Sequence, residues 1–196
     1  MYELMCRVKR KLTCVISSKF YSLSFNSFGR KSTIYKPDIL QGIKYFEVGE
    51  NTHIQNGLWA LALKISDKAP VLKVGNNVYI GRYCHLVSVS ELIIEDDALI
   101  ADKVYISDNM HEYNNINIPI SKQPIAFKRE VRVGKGCWIG ENVSIIGANI
   151  GRNSVIAANS VVVKDVPDYT VVAGVPARVI KKYCFERKKW INQASN

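Results

Sequence analysis

Histidines are the residues of this chain best suited to proton transfer at neutral pH, and there are three: His53, His85 and His111. The unperturbed pKa of imidazole is about 6.5, so it can accept a proton from an attacking hydroxyl group. The three lie more than 25 residues apart in sequence, a spacing that gives no signature of a metal site. An isolated histidine is more often an ordinary surface residue, so the surrounding pattern must decide.

The net charge of +10 is concentrated at the two ends of the chain. Residues 1–36 hold eight basic and one acidic residue (+7), and residues 178–196 hold six and one (+5). The 13 basic and 15 acidic residues between them give −2. A nucleic-acid-binding body would carry basic charge along one of its faces. We therefore do not expect a nucleic-acid partner.

The composition is that of an ordinary soluble domain, with 47% hydrophobic and 22% charged residues. No stretch approaches the roughly 18 consecutive apolar residues of a membrane span. The apolar segment that follows the basic start, Leu12 to Ile16, is too short for the core of a signal peptide. These features predict a cytoplasmic location.

A six-residue period runs from near Val48 almost to the C-terminus. A branched aliphatic residue is followed by a small or polar one, and a second, smaller inward candidate comes four places on. The clearest hexads begin at Val74, Ile80, Ile94, Ile100, Val133, Ile139, Ile150 and Ile156. Hexapeptide repeats are typical of a parallel β-helix, because two inward positions per hexad fit a short flat side followed by a corner. Three sides make a coil of about 18 residues, with coils ~4.8 Å apart.

Five cysteines are present, an odd number without a CxxC spacing. Cys84 and Cys137 fall at the smaller inward position of a hexad, whereas Cys6, Cys14 and Cys184 lie outside the repeat. We expect small buried thiols rather than disulfides or nucleophiles.

The breaks in the period divide the chain. Residues 1–31 form a basic segment with apolar residues at helical spacing, residues 32–166 the β-helix, and residues 167–196 a tail with helical character from Arg178 to Trp190. Within the β-helix, residues 112–130 contain no hexad and predict a projecting loop, where functional residues are often found. The interval from Ile145 to Ile150 is five residues instead of six, which either alters the surface there or tightens a turn.

From His53 onward the chain resembles the left-handed β-helix (hexapeptide-repeat) acyltransferases. The likeness is closest to the maltose, galactoside and xenobiotic acetyltransferases and the lipopolysaccharide-biosynthesis O-acetyltransferases. It rests on three stretches: Ile106-Ser-Asp-Asn-Met-His111, the segment Val133 to Val143 with its Cys-Trp-Ile-Gly, and Ile156 to Pro167 continuing into Ala173-Gly-Val-Pro-Ala-Arg178. The resemblance implies a left-handed prism, a homotrimer, and acetyl-CoA bound between adjacent prisms as co-substrate, with no metal.

The resemblance also implies roles for the residues before the loop. His111 stands where the family places its catalytic histidine, and is the expected general base. His85 is expected to contact the acceptor, or else to be a plain solvated residue. Asp108 is expected to contact substrate or fix the imidazole tautomer, with an ordinary turn carboxylate as the alternative. Met110 replaces the Asn that the family favours.

The cofactor residues follow in the same way. Trp138 and Ala158 are expected to line the acyl-CoA groove, with packing at an interface as an alternative or additional role of Trp138. Lys164, Arg178 and Lys181 are expected to meet the CoA phosphates, for which basic side chains are natural partners, with ordinary solvated charges as the alternative for the last two. The expected function is O-acetylation of a sugar hydroxyl of a surface polysaccharide or its precursor. Transfer to an amino- or nucleotide-sugar and a catalytically silent scaffold remain as alternatives. The basic N-terminal helix is expected either to dock on the inner face of a membrane or to cap the prism.

Overall fold

The computed structural model describes residues 1–193 and shows one helix followed by stacked coils of short strands. The first elements are α1 (Tyr2–Ser24), β1 (Ser27–Phe28), β2 (Thr33–Ile34), β3 (Ile39–Gln41), β4 (Phe46–Val48), β5 (His53–Ile54), β6 (Trp59–Ala62), β7 (Val71–Val74), β8 (Tyr79–Ile80), β9 (His85–Ser88), β10 (Glu91–Ile94) and β11 (Leu99–Ile100). They are followed by β12 (Tyr105–Ser107), β13 (Asn109–His111), β14 (Ile125–Phe127), β15 (Val131–Val133), β16 (Trp138–Ile139), β17 (Ser144–Ile146), β18 (Val155–Ile156), β19 (Val161–Val162), β20 (Thr170–Gly174), β21 (Ala177–Cys184) and β22 (Lys189–Asn192).

Strands of successive coils pair in parallel and give the prism three faces. Face A consists of β1, β4, β7, β10 and β15, and face C of β3, β6, β9, β12, β17 and β19. Face B begins with β2, β5, β8, β11, β16, β18 and β20. The chain passes from face A to face B to face C in each coil, and neighbouring strands lie about 4.8 Å apart. This is the parallel β-helix that the six-residue period predicts.

Columns of aliphatic side chains fill the prism, one from each face. On face B the column is a run of isoleucines in register from Ile34 to Ile156, each no more than 3% exposed. β-branched side chains have restricted χ1 angles that suit a strand. Full burial of one such side chain contributes about 1.5–3 kcal/mol, so these columns supply most of the stability of the coil.

The corners use left-handed backbone, which is why asparagine and glycine recur there. Asn77, Asn142, Asn153 and Asn159, each three residues after an inward aliphatic, have φ between 50° and 62°, and Gly136 has φ 69°. Asparagine and glycine adopt this conformation at a lower cost than other residues. The hexad therefore encodes both the flat side and the turn that follows it.

Helix α1 covers the open end of the first coil. Tyr21 and the following Phe25 pack on the core, with ring centroids 5.5 Å apart, and Phe25 lies 5.4 Å from Phe46. The Ser18 hydroxyl donates to the Ser32 carbonyl oxygen at 3.0 Å. The capping alternative is thus confirmed for this side of the helix. Among the described residues, no helix has the length and apolarity needed to cross a bilayer.

The expectation of a helix from Arg178 to Trp190 is wrong. β21 and β22 form an antiparallel hairpin that continues face B beyond β20, so the parallel ladder also runs past residue 166. An uncovered β20 would present unpaired main-chain N–H and C=O groups along its edge. Strand pairing satisfies these groups, and this tertiary gain outweighs the local helical spacing.

The five-residue interval after Ile145 is a tight corner. Gly147 turns the chain with φ 57°, and Ile150 still bridges Val133 on one side and Val166 on the other. The shortening therefore tightens a turn and leaves the inward column intact.

The break after β12 is a projecting arm (residues 109–127). β13 and β14 pair in antiparallel fashion at its base, and residues 113–122 beyond them are exposed. The side-chain amide of Gln123 donates to the carbonyl oxygens of Asn115 at 3.0 Å and Ile118 at 2.8 Å. The predicted loop therefore leaves the coil as expected and has an internal order of its own.

Candidate active site

Asp108 organises the corner where the arm leaves face C. Its side chain is fully buried and accepts hydrogen bonds from three consecutive main-chain N–H groups, residues 89 to 91, at 2.8–3.0 Å. The Ser88 hydroxyl donates at 3.3 Å and the Asn109 side-chain amide at 2.9 Å. A buried carboxylate is tolerated when its lone pairs are satisfied in this way.

The main chain of Asp108 also holds the returning end of the arm. Its carbonyl oxygen accepts the N–H of Lys128 at 2.8 Å and of Arg129 at 3.2 Å. The expected role of Asp108 in substrate contact or in fixing the imidazole tautomer is therefore wrong. Its oxygens are shielded from solvent and occupied by main-chain donors, and within residues 1–193 it makes no hydrogen bond to His111. Asp108 is a structural residue that positions the first strand of the arm.

His111 ends β13, opposite Ile125, and its side chain is exposed. No residue in the described part of the chain hydrogen-bonds to its imidazole. Asn109 is buried and its amide is turned toward Asp108, so the half-buried Met110 separates a structural residue from a solvent-facing one. An exposed imidazole with free ring nitrogens can accept a proton from a bound hydroxyl group.

His85 is packed rather than solvated. Its ring stacks on Trp59 with centroids 4.1 Å apart and planes 10° apart, and lies 5.2 Å from Tyr105. Burial lowers the pKa of His85 because the charged imidazolium loses solvation. Its Nε2 is buried and has no partner within residues 1–193. Burial therefore favours the neutral form of the ring, which is still partly exposed at the surface of face C.

The aromatic neighbours of His85 were missed by the sequence analysis. Trp59, His85 and Tyr105 are direct partners on β6, β9 and β12, and Trp59 is 40% exposed. The signal that could have revealed them is the register itself, since each begins the strand of face C in its coil. Following the outward positions of the hexads as carefully as the inward ones would have aligned the three rings.

Trp138 lies on the outward side of face B. It is 52% exposed and continues a column with Leu99 at 46% and Tyr79 at 40%. Contiguous exposed apolar surface of this kind marks a contact with a ligand or another protein. The structure therefore places Trp138 on a surface that is apolar over at least three coils.

The three predicted phosphate-binding cations are exposed, and none forms an ion pair within residues 1–193. Arg178 and Lys181 lie on β21, which extends face B. Lys181 stands in the outward column of Trp138, three strands away, or about 14 Å at the usual strand spacing. Lys164 follows β19 at the corner between faces C and A.

Ala158 lies at the corner between faces B and C, after β18, and is exposed. Gly140 occupies the same corner one coil earlier, and a Cβ there would stand 2.6 Å from the Ala158 nitrogen. The two coils can stack so closely only because residue 140 lacks a side chain. Ala158 itself adds only a methyl group at this corner, whereas Glu141 stands at the same place one coil earlier and lies 3.3 Å from Lys103.

No single face carries all of the predicted site residues. His85 is on face C, His111 is on the arm at the corner of faces C and A, and Trp138, Arg178 and Lys181 are on face B. Outward sides of different faces point in different directions. Within residues 1–193, His111 and Lys164 therefore lie near the corner of faces C and A, whereas Trp138, Arg178 and Lys181 lie on a surface that points in another direction.

The cysteines offer no alternative chemistry. Cys84 and Cys137 are buried, as predicted, and burial raises the pKa of each to about 11, so both stay protonated at neutral pH. Residues 1–193 contain no group of three or more His, Cys, Asp or Glu side chains arranged to hold a metal ion.

Comparison with known proteins supplies the wider context. A family model described as the hexapeptide repeat of succinyl-transferase matches residues 130–164. The galactoside O-acetyltransferase of Escherichia coli K12 is 31% identical over 158 residues, covering 77% of this chain and 70% of that protein. The "Putative lipopolysaccharide biosynthesis O-acetyl transferase WbbJ" of the same organism is 39% identical over 128 residues, covering 61% and 65%. The chain covers 48% to 65% of the length of the first three curated relatives it matches.

Solved structures agree in fold. A galactoside acetyltransferase in complex with coenzyme A superposes with a TM-score of 0.61 at 32% identity, covering 73% of this chain and 68% of that one. AntD, an N-acyltransferase from Bacillus cereus in complex with dTDP and 3-hydroxybutyryl-CoA, gives 0.70 at 20% identity, covering 87% and 90%. At such low identity the second likeness shows the fold alone. The predicted left-handed parallel β-helix is confirmed.

Proposed function

Because this chain belongs to the hexapeptide-repeat acyltransferase family, we propose that it is an acetyl-CoA-dependent O-acetyltransferase acting on a sugar hydroxyl of a surface polysaccharide or its precursor. The observation that carries the proposal is the placement of His111. Its imidazole is exposed and free of hydrogen bonds within residues 1–193, on a strand that the buried Asp108 fixes to the corner of the prism. The names of two relatives, a galactoside O-acetyltransferase and a putative lipopolysaccharide biosynthesis O-acetyl transferase, support a sugar acceptor.

In this proposal His111 is the general base of a direct transfer. Its imidazole removes the proton of the sugar hydroxyl as the hydroxyl oxygen attacks the thioester carbon. The new ester bond forms while the carbon–sulfur bond breaks, and His111 returns the proton to the departing sulfur. The bound thioester supplies the acetyl group. General-base assistance of this kind contributes about 10²–10⁴-fold to a rate.

We assign the acceptor to the surface of face C beside the arm. Trp59, His85 and Tyr105 pack against one another there and leave a partly exposed aromatic surface, with Trp59 40% exposed, for the apolar side of a sugar ring. The neutral imidazole of His85 can exchange a hydrogen bond with a hydroxyl group.

We assign acetyl-CoA to a groove beside Trp138 and the corner at Ala158. The residues present fit its shape and charge. Ala158 presents only a methyl group at its corner. Arg178 and Lys181 on face B, together with Lys164 at the corner of faces C and A, form no ion pair within residues 1–193 and are suited to its phosphates. The apolar part of the binding free energy comes from contact with Trp138, which is half exposed in the isolated chain.

We further propose that the active unit is a homotrimer with its sites between copies. Faces B and C both carry exposed apolar side chains on their outward sides, including Trp138 and Leu99 on face B and Trp59 on face C. A contact between face B of one copy and face C of the next is heterologous and closes into a ring when the rotation is threefold. Such a ring would bring the two halves of the site together.

The experiment is transfer of radiolabelled acetyl groups from acetyl-CoA to a panel of sugars, oligosaccharides and amino sugars. The variant His111→Ala is compared with His53→Ala, a matched change of another exposed histidine, on face B. We expect His111→Ala to lose at least 100-fold in kcat/KM with an unchanged thermal unfolding midpoint. His53→Ala should keep wild-type activity.

The nature of the product separates the alternatives. An O-acetyl ester is released by mild alkali, whereas an N-acetyl amide resists it. A product that resists alkali would replace the proposal by N-acetylation of an amino sugar. Transfer that persists in His111→Ala would overturn the mechanism. The absence of both transfer and acetyl-CoA binding by calorimetry in the wild-type chain would indicate a scaffold.

A further inference from the structure

Helix α1 has a second face that capping leaves uncovered. A stripe of seven apolar residues along it, called the ridge below, is 50% to 87% exposed. It consists of Leu4, Met5, Val8, Leu12, Val15, Ile16 and Leu23. Positions three and four apart share one side of a helix, so the ridge is continuous from Leu4 to Ile16. The exposed Lys19 lies on the same side of α1, before Leu23. The side that packs on the prism, around Cys14 and Tyr21, faces away from it.

Basic side chains flank the ridge on both sides. At 3.6 residues per turn, Lys9 falls beyond one border of the stripe and Arg7 and Lys11 beyond the other. All three are exposed, and none forms an ion pair within residues 1–193. Arg10 belongs to the cap instead, where it bonds to the Gln55 side chain and lies 5.1 Å from the centre of the Tyr35 ring.

We propose that the ridge docks this protein on the surface of an anionic lipid bilayer. The helix would lie in the plane of the interface, with the ridge among the acyl chains and the flanking cations among the headgroups. The charge of α1 favours an anionic bilayer over a second copy of the helix as the partner that covers the ridge. α1 contains five basic residues and Glu3, giving +4, so pairing two such helices would bring like charges together, whereas anionic headgroups complement them.

Docking in this way would place the site close to the lipid surface. α1 lies on the first coil, and β12, which leads into the arm, is the fourth strand of face C. Three strand spacings amount to about 14 Å along the prism axis. A glycan carried on a membrane lipid could therefore reach His111 from the bilayer. This consequence rests on the proposed function, but the docking itself does not. The cytoplasmic leaflet, rich in anionic lipids, is the proposed location.

The experiment is cosedimentation of the 196-residue chain with vesicles of phosphatidylcholine alone or with 30% phosphatidylglycerol, at low and high salt. We expect binding to the anionic vesicles, weakened at least tenfold by high salt and by the neutral composition. The variant Ile16→Glu is compared with Ile116→Glu, the same substitution at an exposed isoleucine of the arm. Ile16→Glu should reduce binding about tenfold or more, and Ile116→Glu should bind as the wild type does.

Three results would overturn the proposal. The first is a wild-type chain that stays in the supernatant with anionic vesicles at low salt, and the second is equal binding of Ile16→Glu and Ile116→Glu. A loss of oligomeric state in Ile16→Glu, measured by light scattering without vesicles, would instead assign the ridge to a second copy. Circular dichroism of both variants verifies that α1 is intact. Because vesicle binding is measured without acetyl transfer, its failure is distinguishable from failure of the proposed function.

Discussion

Faces A and B of the prism have similar interiors and very different exteriors. Inward, both are columns of buried aliphatic side chains. Outward, face A carries ion pairs: Lys73 lies 3.4 Å from Glu47, and Arg132 lies 3.6 Å from Glu91. Outward on face B, the column of Tyr79, Leu99 and Trp138 is apolar.

The difference shows that the hexad constrains the interior alone. Exposed ion pairs such as those of face A contribute about 0–1 kcal/mol each, so their main effect is to keep that face in water. The apolar column of face B gains free energy only when something covers it. The same repeat can thus build a solvent face and an interface, and the outward residues alone distinguish them.

The largest effect expected from this comparison is on assembly. Leu99→Glu on face B should weaken association of the copies at least 100-fold, because an unpaired buried charge costs about 3–5 kcal/mol. Ile93→Glu on face A is the matched control, since Ile93 is outward in the same coil and lies between Lys73 and Arg132. Light scattering over a dilution series measures both. If the two variants associate equally strongly, face B does not differ from face A as an interface between copies.

The next effect is at the corner that separates face C from face A. Asp108→Ala should lower the free energy of unfolding by about 3 kcal/mol or more, because three main-chain N–H groups lose their buried acceptor. Asp97→Asn removes a carboxylate charge from an exposed corner, where Lys135 lies 3.3 Å away, and keeps a residue suited to the left-handed backbone there (φ 59°). This control should cost less than about 1 kcal/mol. Denaturant unfolding measures both, and a loss at Asp108 as small as that at Asp97 would contradict the structural role.

A smaller effect, on the KM for acetyl-CoA, is expected from Trp138 on the outward side of face B. Trp138→Ala should raise the KM for acetyl-CoA about tenfold, equivalent to about 1.4 kcal/mol, by removing the apolar wall of the groove. Lys73→Ala on face A should leave the KM unchanged. Steady-state kinetics with acetyl-CoA as the varied substrate measures both variants, and an unchanged KM in Trp138→Ala would remove that residue from the groove.

The smallest expected effect is on the pH dependence of the unfolding midpoint, and it comes from His85 on face C. Burial lowers the pKa of His85, so the unfolded chain binds this proton more readily than the folded one. The contribution of His85 to the free energy of unfolding is complete above the pKa of about 6.5 in the unfolded chain, and it is lost as the pH falls below that value. His85→Asn should therefore show a smaller drop in unfolding midpoint between pH 7.5 and 5.5 than the wild type. A drop in His85→Asn identical to that of the wild type would contradict the packing.

Much of the fold was predictable because its signal is local. An aliphatic residue every six places and asparagine or glycine three places after it predict the flat side and the corner within one coil. The position of His111 before the arm followed from the point where this signal stops. The C-terminal hairpin did not follow, because the edge of β20 that it covers is created only when the coils have stacked.

The candidate site was predictable in its parts but not in their roles. His85 was identified, yet its pairing with Trp59 and Tyr105 depends on coils aligning in register. The substrate role expected of Asp108 was wrong because its partners lie 17 to 20 residues earlier in the chain, on the preceding coil. Spacing along a motif gives no information about such contacts.

By itself, then, the sequence determined a prism of hexads, the coil at which it opens into an arm, and a histidine at that opening. These properties are set by short-range patterns that each coil repeats. Only the tertiary structure decided which side chains turn inward at the opening, which faces remain apolar outside, and that the predicted residues lie on different faces. Those properties depend on contacts between coils, and such contacts exist only once the chain has wound.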